Sequence, residues 1–155
     1  MGFELRQDTR KWFKEIEKDY STLFDIYYLC LIPGFITKSR NTEIHSDSVD
    51  EITRYFPDAF RSRGQLLIVL LIDTELSRLG INLSERKTVY SRISELVVTT
   101  PPYISDAGIK LMNQYAHGGF DILTENISER PRSIETFVRK YYSLIQTLSH
   151  DLHDR

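Results

Sequence analysis

Apolar residues recur along most of this chain at intervals of three and four, the spacing that gathers them on one face of an α-helix. Trp12, Phe13, Ile16 and Tyr20 follow it with lysines and glutamates between them, which predicts a first helix over about 8–18. The next segment, TLFDIYYLCLI, is apolar on most sides and predicts a core helix over 22–32, stopping where Pro33 and Gly34 discourage continuation. Residues 38–50, KSRNTEIHSDSVD, are polar and rich in turn formers, so a long exposed loop is expected there. A short helix in VDEITRYF would close it before Pro57.

Two readings compete for the run LLIVLLID. It suits a buried parallel strand ending in an acid, or the middle of one helix over about 58–79. The helix is favoured: leucine dominates, DTELSRLG continues the pattern, and no other segment supplies a partner strand. Gly80 followed by Ile81 reads as a glycine C-cap with an apolar residue behind it. Ser84, Ser105 and Ser133 read as N-caps of three further helices. The apolar stripe of the first of these is Val89, Ile93, Leu96 and Val97; that of the last is Phe137, Tyr141, Leu144, Ile145 and Leu148. The expected architecture is all-α: one domain over 1–155, an irregular bundle of six to seven helices around a central apolar helix at about 58–79, with a frayed tail at 149–155.

The stretch NQYAHGGFDIL poses a separate question. Either the helix stops at His117 with Gly118 as a left-handed cap, or it continues and Gly119 lets another helix approach closely. If it continues, Ile109, Met112, Ala116, Gly119, Leu123 and Ile127 share a face, which favours a close helix contact at Gly118 and Gly119. Nucleotide binding is not expected, since no strand precedes the glycines and no further glycine follows at the required offset.

Composition narrows function more than it names it. A chain of 155 residues with 41% hydrophobic and 27% charged residues is a globular domain, not a disordered one. A formal net charge of -2 gives no global field for a polyanion. The single cysteine, Cys30, lies in an apolar run and reads as a buried thiol. The first twenty residues are charged throughout, Arg6 stands where a myristoylation motif needs Ser or Thr, and the run LLIVLLI is only seven residues long. A cytoplasmic protein that does not span a membrane is therefore expected.

Candidate chemistry is sparse. His150 and His153, with Asp151 and Asp154, have metal-like spacing but lie in the predicted tail, and neither a metal nor a cofactor is expected. Asp73 would be the key carboxylate of a hydrolase reading, although Asp73 and Glu75 point in different directions on a helix. Arg130, Arg132, Arg139 and Lys140 surround the start of the last helix and are the candidate contacts for a phosphate backbone or an acidic partner. A helix-turn-helix over 85–117 would carry few bases on its second helix.

The runs YFPDAFRSRGQLLIVLLIDTELSRLGI and SDAGIKLMNQYAHGGFDIL, spanning roughly residues 50–125, resemble small helical accessory proteins encoded beside bacterial DNA-phosphorothioation (sulfur-modification) and related anti-phage systems. That resemblance implies a non-catalytic interaction or adaptor subunit with protein partners inside a larger assembly. It supplies no catalytic residues. A small DNA-binding regulator using the local basic patch is the alternative, and self-association is compatible with either.

Overall fold

The computed structural model describes residues 1–153. They form six α-helices and one antiparallel ribbon: β1 Phe3–Arg6, α1 Gln7–Trp12, α2 Leu23–Thr37, β2 Val49–Thr53, α3 Arg61–Arg78, α4 Arg86–Leu96, α5 Asp106–Asn126 and α6 Ile134–His153. The molecule is thus mostly helical, roughly a bundle, but not all-α.

The ribbon corrects the reading of VDEITRYF as a helix. β1 and β2 pair from Phe3 opposite Thr53 to Arg6 opposite Val49, with a bulge after Phe3. In β1 the apolar Phe3 and Leu5 are buried while Glu4 and Arg6 are half-buried, the two-residue alternation of a strand. The pairing is held by α5: the Asn113 carboxamide accepts from the Glu4 N–H (3.1 Å) and from the Tyr27 hydroxyl (2.8 Å), and donates to the Gly2 carbonyl (3.1 Å). α1 is also shorter than its periodicity predicts. It ends at Trp12, and a turn followed by a 3-10 helix at Glu17–Asp19 carries Phe13 and Ile16 into the core.

The centre of the molecule is the α2–α5 pair, not the 58–79 helix. α3 buries Leu67, Ile68, Leu71 and Leu76, yet Leu66 and Val69 are 56% and 59% exposed. α2 and α5 approach until backbone meets backbone. A Cβ on Gly34 would lie 2.1 Å from the Tyr115 carbonyl oxygen, and one on Gly119 would lie 1.6 Å from that of Cys30. Neither distance is compatible with a side chain, so glycine is required on both helices. α5 runs unbroken through Gly118, which has no left-handed backbone; its Cβ would meet the Ser39 carbonyl oxygen at 2.2 Å.

α2 itself continues through Pro33 to Thr37, past the predicted stop. Proline at 33 cannot donate to the Leu29 carbonyl one turn earlier. The Tyr141 hydroxyl of α6 donates to that carbonyl instead, at 2.8 Å, so the orphaned acceptor is satisfied from another helix. The polar segment after α2 is tied down as well: the Asn41 N–H reaches the Gln114 carbonyl (3.0 Å) and its carboxamide reaches Asp121 (2.7 Å).

Several caps are where the sequence places them. Gly80 has φ 69°, its N–H bonds Ser77 and the Ile81 N–H bonds the Leu76 carbonyl at 2.9 Å, a two-bond glycine termination. The Ser105 hydroxyl accepts from the Gly108 N–H at 3.0 Å, and that of Ser133 from the Thr136 N–H at 3.4 Å. Ser84 is not a cap: α4 starts at Arg86, with Glu85 at the cap position, because the Asn82 side chain takes the Ser84 N–H and the Glu85 carboxylate takes the Asn82 N–H. The expected frayed tail is helical through His153; Asp154 and Arg155 lie outside the described residues. No helix among the described residues is long and apolar enough to cross a membrane.

Candidate interaction groove

A groove of about 520 Å³ opens between the chain leading into α3 and the loop that joins α4 to α5. On one side Phe56 lies against Phe3 and Phe24, with ring centroids 4.9 and 5.6 Å away. Gly64 makes room for it, since a Cβ there would lie 2.7 Å from the Phe56 ring. Ordering Phe56 leaves its neighbour Tyr55 turned outward, 59% exposed. The Thr53 hydroxyl braces this turn, donating to the Tyr55 carbonyl at 2.8 Å and accepting from its N–H at 3.3 Å.

On the other side Pro101, Pro102 and Tyr103 form the wall. A bridge between Val97 and Ile104 closes the loop, with the Ser105 N–H on the Leu96 carbonyl (2.8 Å) and the Tyr103 N–H on the Thr100 carbonyl (2.7 Å). Within this tight turn Tyr103 adopts φ 67°, a left-handed conformation that costs a non-glycine residue about 1–2 kcal/mol. The side chain so placed is 45% exposed. Arg61, Gln65 and Ile68 of α3 complete the lining, and no carboxylate is part of it. Neither phenol hydroxyl has a hydrogen-bond partner among the described residues. Arg61 pairs with Asp58 at 2.8 Å, but both side chains stand in solvent, so the pair is weak.

The four predicted basic residues line two clefts that share Lys140. Arg130, Arg132 and Lys140 line a cleft of about 140 Å³, and Arg139 and Lys140 line another of about 520 Å³, beside the junction of α5 and α6. All four are exposed, and none pairs with a carboxylate among the described residues.

Asp73 is exposed on the outer side of α3, away from the clefts described here. The buried acid is Glu75, fully enclosed, which sequence spacing did not single out. Its carboxylate accepts from Arg78 (2.7 and 2.9 Å), Arg92 (2.8 Å) and the Tyr115 hydroxyl (2.5 Å), tying α3, α4 and α5 together. Burial alone would raise its pKa, but the hydrogen bonds from Arg78, Tyr115 and Arg92 outweigh it and hold the group down at about 2. The four side chains form one ion cluster around a buried carboxylate.

His117 is 6% exposed and makes no hydrogen bond through its ring among the described residues. It borders a cleft of about 310 Å³ with Glu4, Glu51 and Lys110. Burial first, and then the neighbouring Arg6 cation, lower its pKa to about 4, so the imidazole is neutral at neutral pH. Arg6 is itself held by Asp8 and Asp121 at 2.7 Å each and lies over the Phe120 ring. Cys30 is buried, with its thiol pushed well above the ordinary range by burial. No group of three or more His, Cys, Asp or Glu among the described residues is arranged to hold a metal ion.

No protein-family model, curated protein or solved structure matches this chain.

Proposed function

We propose that this protein is a non-catalytic helical interaction subunit that engages a partner protein through the Tyr55–Tyr103 groove. The observation that supports it is the pair of exposed aromatic side chains there: Tyr55 and Tyr103 are 59% and 45% exposed and line one concavity with Phe56, Ile68, Pro101 and Pro102. Isolated exposed apolar residues are ordinary, whereas a contiguous set around a groove marks a contact surface. A rigid bundle with fixed loops presents such a surface with little ordering cost. Membership of a bacterial DNA-modification or phage-defence assembly is supported by the resemblance of residues 50–125 described above. Site-specific photo-crosslinking in the native cell tests the reading. A photoreactive residue in place of Tyr103 is expected to give a discrete protein adduct, and one in place of exposed Lys14 is not. Absence of any adduct at Tyr103 would sink it.

A second reading is supported by the four unpaired cations at the α5–α6 junction: contact with a nucleic-acid phosphate backbone. Local positive charge of this kind gives binding that weakens steeply with salt. Duplex DNA titrated into the protein at low and moderate salt tests this reading.

A further inference from the structure

We propose that the groove between Tyr55 and Tyr103 receives an extended, proline-rich segment carrying acidic residues. The proposal rests on the reading of this chain as an interaction subunit and specifies the chemistry of its partner.

The donor and acceptor balance of the groove points to this chemistry. Its polar groups are the two phenol hydroxyls, both without a partner, the Arg61 guanidinium and the Gln65 carboxamide; no carboxylate lines it. The hydroxyls and the carboxamide both donate and accept, Arg61 only donates and no carboxylate is present, so the surface favours a ligand rich in acceptors. A proline-rich chain in the left-handed extended helix fits, because its backbone carbonyls are unpaired and its prolines have no N–H. An amphipathic helix offers this surface fewer acceptors, since its backbone carbonyls are already satisfied. The aromatic rings of Tyr55 and Tyr103 and the wall of Pro101 and Pro102 suit flat pyrrolidine rings, the mode by which aromatic-lined grooves take proline-rich segments.

Charge points the same way. Arg61 lines the groove and Arg54 immediately precedes Tyr55, with side chains 81% and 69% exposed. Their partners Asp58 and Glu51 hold them only through solvent-exposed pairs, which a partner's carboxylate can replace. A third observation is the backbone of Tyr103. The turn needs a left-handed residue, for which asparagine or glycine is the unstrained choice, and tyrosine occupies it. Strain of this kind at a lining side chain is retained where the side chain has work to do.

The test is fluorescence anisotropy of the full chain with three labelled peptides: an oligoproline flanked by glutamates, its alanine-for-proline counterpart, and its lysine-for-glutamate counterpart. Saturable binding to the first is expected, with at least about tenfold weaker binding to each of the other two. Tyr55→Ala and Tyr103→Asn should each weaken it by about tenfold or more. Tyr103→Asn keeps a residue that tolerates positive φ, so its melting temperature should not fall below the parent's, which separates a binding defect from a folding defect. Equal affinity for the alanine peptide, equal affinity for an amphipathic helical peptide, or indifference to both substitutions would overturn the proposal. Self-association of the protein that Tyr55→Ala abolishes would also overturn it, by assigning the groove to a second copy. A photo-adduct at position 103 without oligoproline binding removes the proline assignment and leaves the interaction reading standing; absence of both removes the interaction reading itself.

Discussion

At the scale of single residues, four positions are fixed by what surrounds them. Gly119 faces a carbonyl of the neighbouring helix, and a backbone oxygen 1.6 Å from a new Cβ cannot swing aside as a side chain can. Gly119→Val is therefore expected to lower stability by at least about 1–3 kcal/mol, the usual cost of overpacking. Gly118→Val should cost less, because its clash is with the loop at Ser39 and the helix retains ordinary right-handed dihedrals there. Denaturant unfolding of both variants gives the order, and the reverse order would contradict the close crossing. Glu75 and His117 set the pH response. The Glu75 carboxyl sits near 2 in the fold against 4.5 in the open chain, so its contribution is complete above pH 4.5 and is lost as pH falls toward 2. Glu75→Gln should flatten that window and cost on the order of 3 kcal/mol at neutral pH, near the low end for a broken buried pair, because Arg78 and Arg92 can regain some water. His117 is neutral in the fold down to about pH 4 while the unfolded imidazole takes a proton below about 6.5, so stability declines across that interval. His117→Gln should remove this decline in equilibrium unfolding followed from pH 7 to 4.

At the scale of elements, α2 is informative because proline in a helix interior ordinarily ends or kinks it. The Tyr141 hydroxyl substitutes for the donor that Pro33 lacks, so α6 completes the hydrogen bonding of α2. Tyr141→Phe should leave the Leu29 carbonyl unsatisfied in a half-buried setting and cost about 1–3 kcal/mol in denaturant unfolding, with little change in packing volume. A variant as stable as the parent would show that water replaces the hydroxyl freely. α3 makes the complementary point. Its sequence holds an unbroken apolar run of seven residues, 66–72, yet Leu66→Lys and Val69→Lys should alter stability by no more than about 0.5 kcal/mol, whereas Leu67→Ala should cost about 2–5 kcal/mol. A large destabilisation in either lysine variant would place α3 deeper than its exposure indicates.

At the scale of the whole molecule, charge is nearly balanced, with a formal net of -2, but unevenly partnered. Arginines 6, 10, 54, 61, 78 and 92 pair with acids, while Arg130, Arg132, Arg139 and Lys140 have no such pair among the described residues. If the nucleic-acid reading holds, reversing these four charges should weaken duplex DNA binding. The slope of log affinity against log salt should fall by about 0.9 for each phosphate no longer neutralised. An unchanged slope would detach the cluster from any phosphate backbone. The aromatic groove is made by different elements, so the charge reversals should leave oligoproline binding as it was. The two surfaces can therefore be tested independently in one set of variants.

Features that depend on neighbours along the chain were legible in the sequence. Helical periodicity located α3, α5 and α6, and the local chemistry of Gly80, Ser105 and Ser133 set three of their ends. The face shared by Ile109, Met112, Ala116 and Gly119 could be read as a close helix contact, because burial along a helix repeats with its period. Arg130, Arg132, Arg139 and Lys140 could be read as a basic group because they lie within eleven consecutive residues. Features that depend on residues far apart emerged only on folding. β1 finds its partner strand across more than forty residues, and neither strand is long enough to announce itself by alternation. The passage of α2 through Pro33 depends on a hydroxyl from a tyrosine more than a hundred residues later. The centre of the molecule depends on the pair of glycines, Gly34 and Gly119, that lets two backbones touch; the apolar run at 66–72 pointed to α3 instead, because such a run does not say which of its sides the fold will cover. The groove belongs to this second class. Tyr55 and Tyr103 are separated by nearly fifty residues, and the sequence carries no local signal that a tight left-handed turn will set one opposite the other.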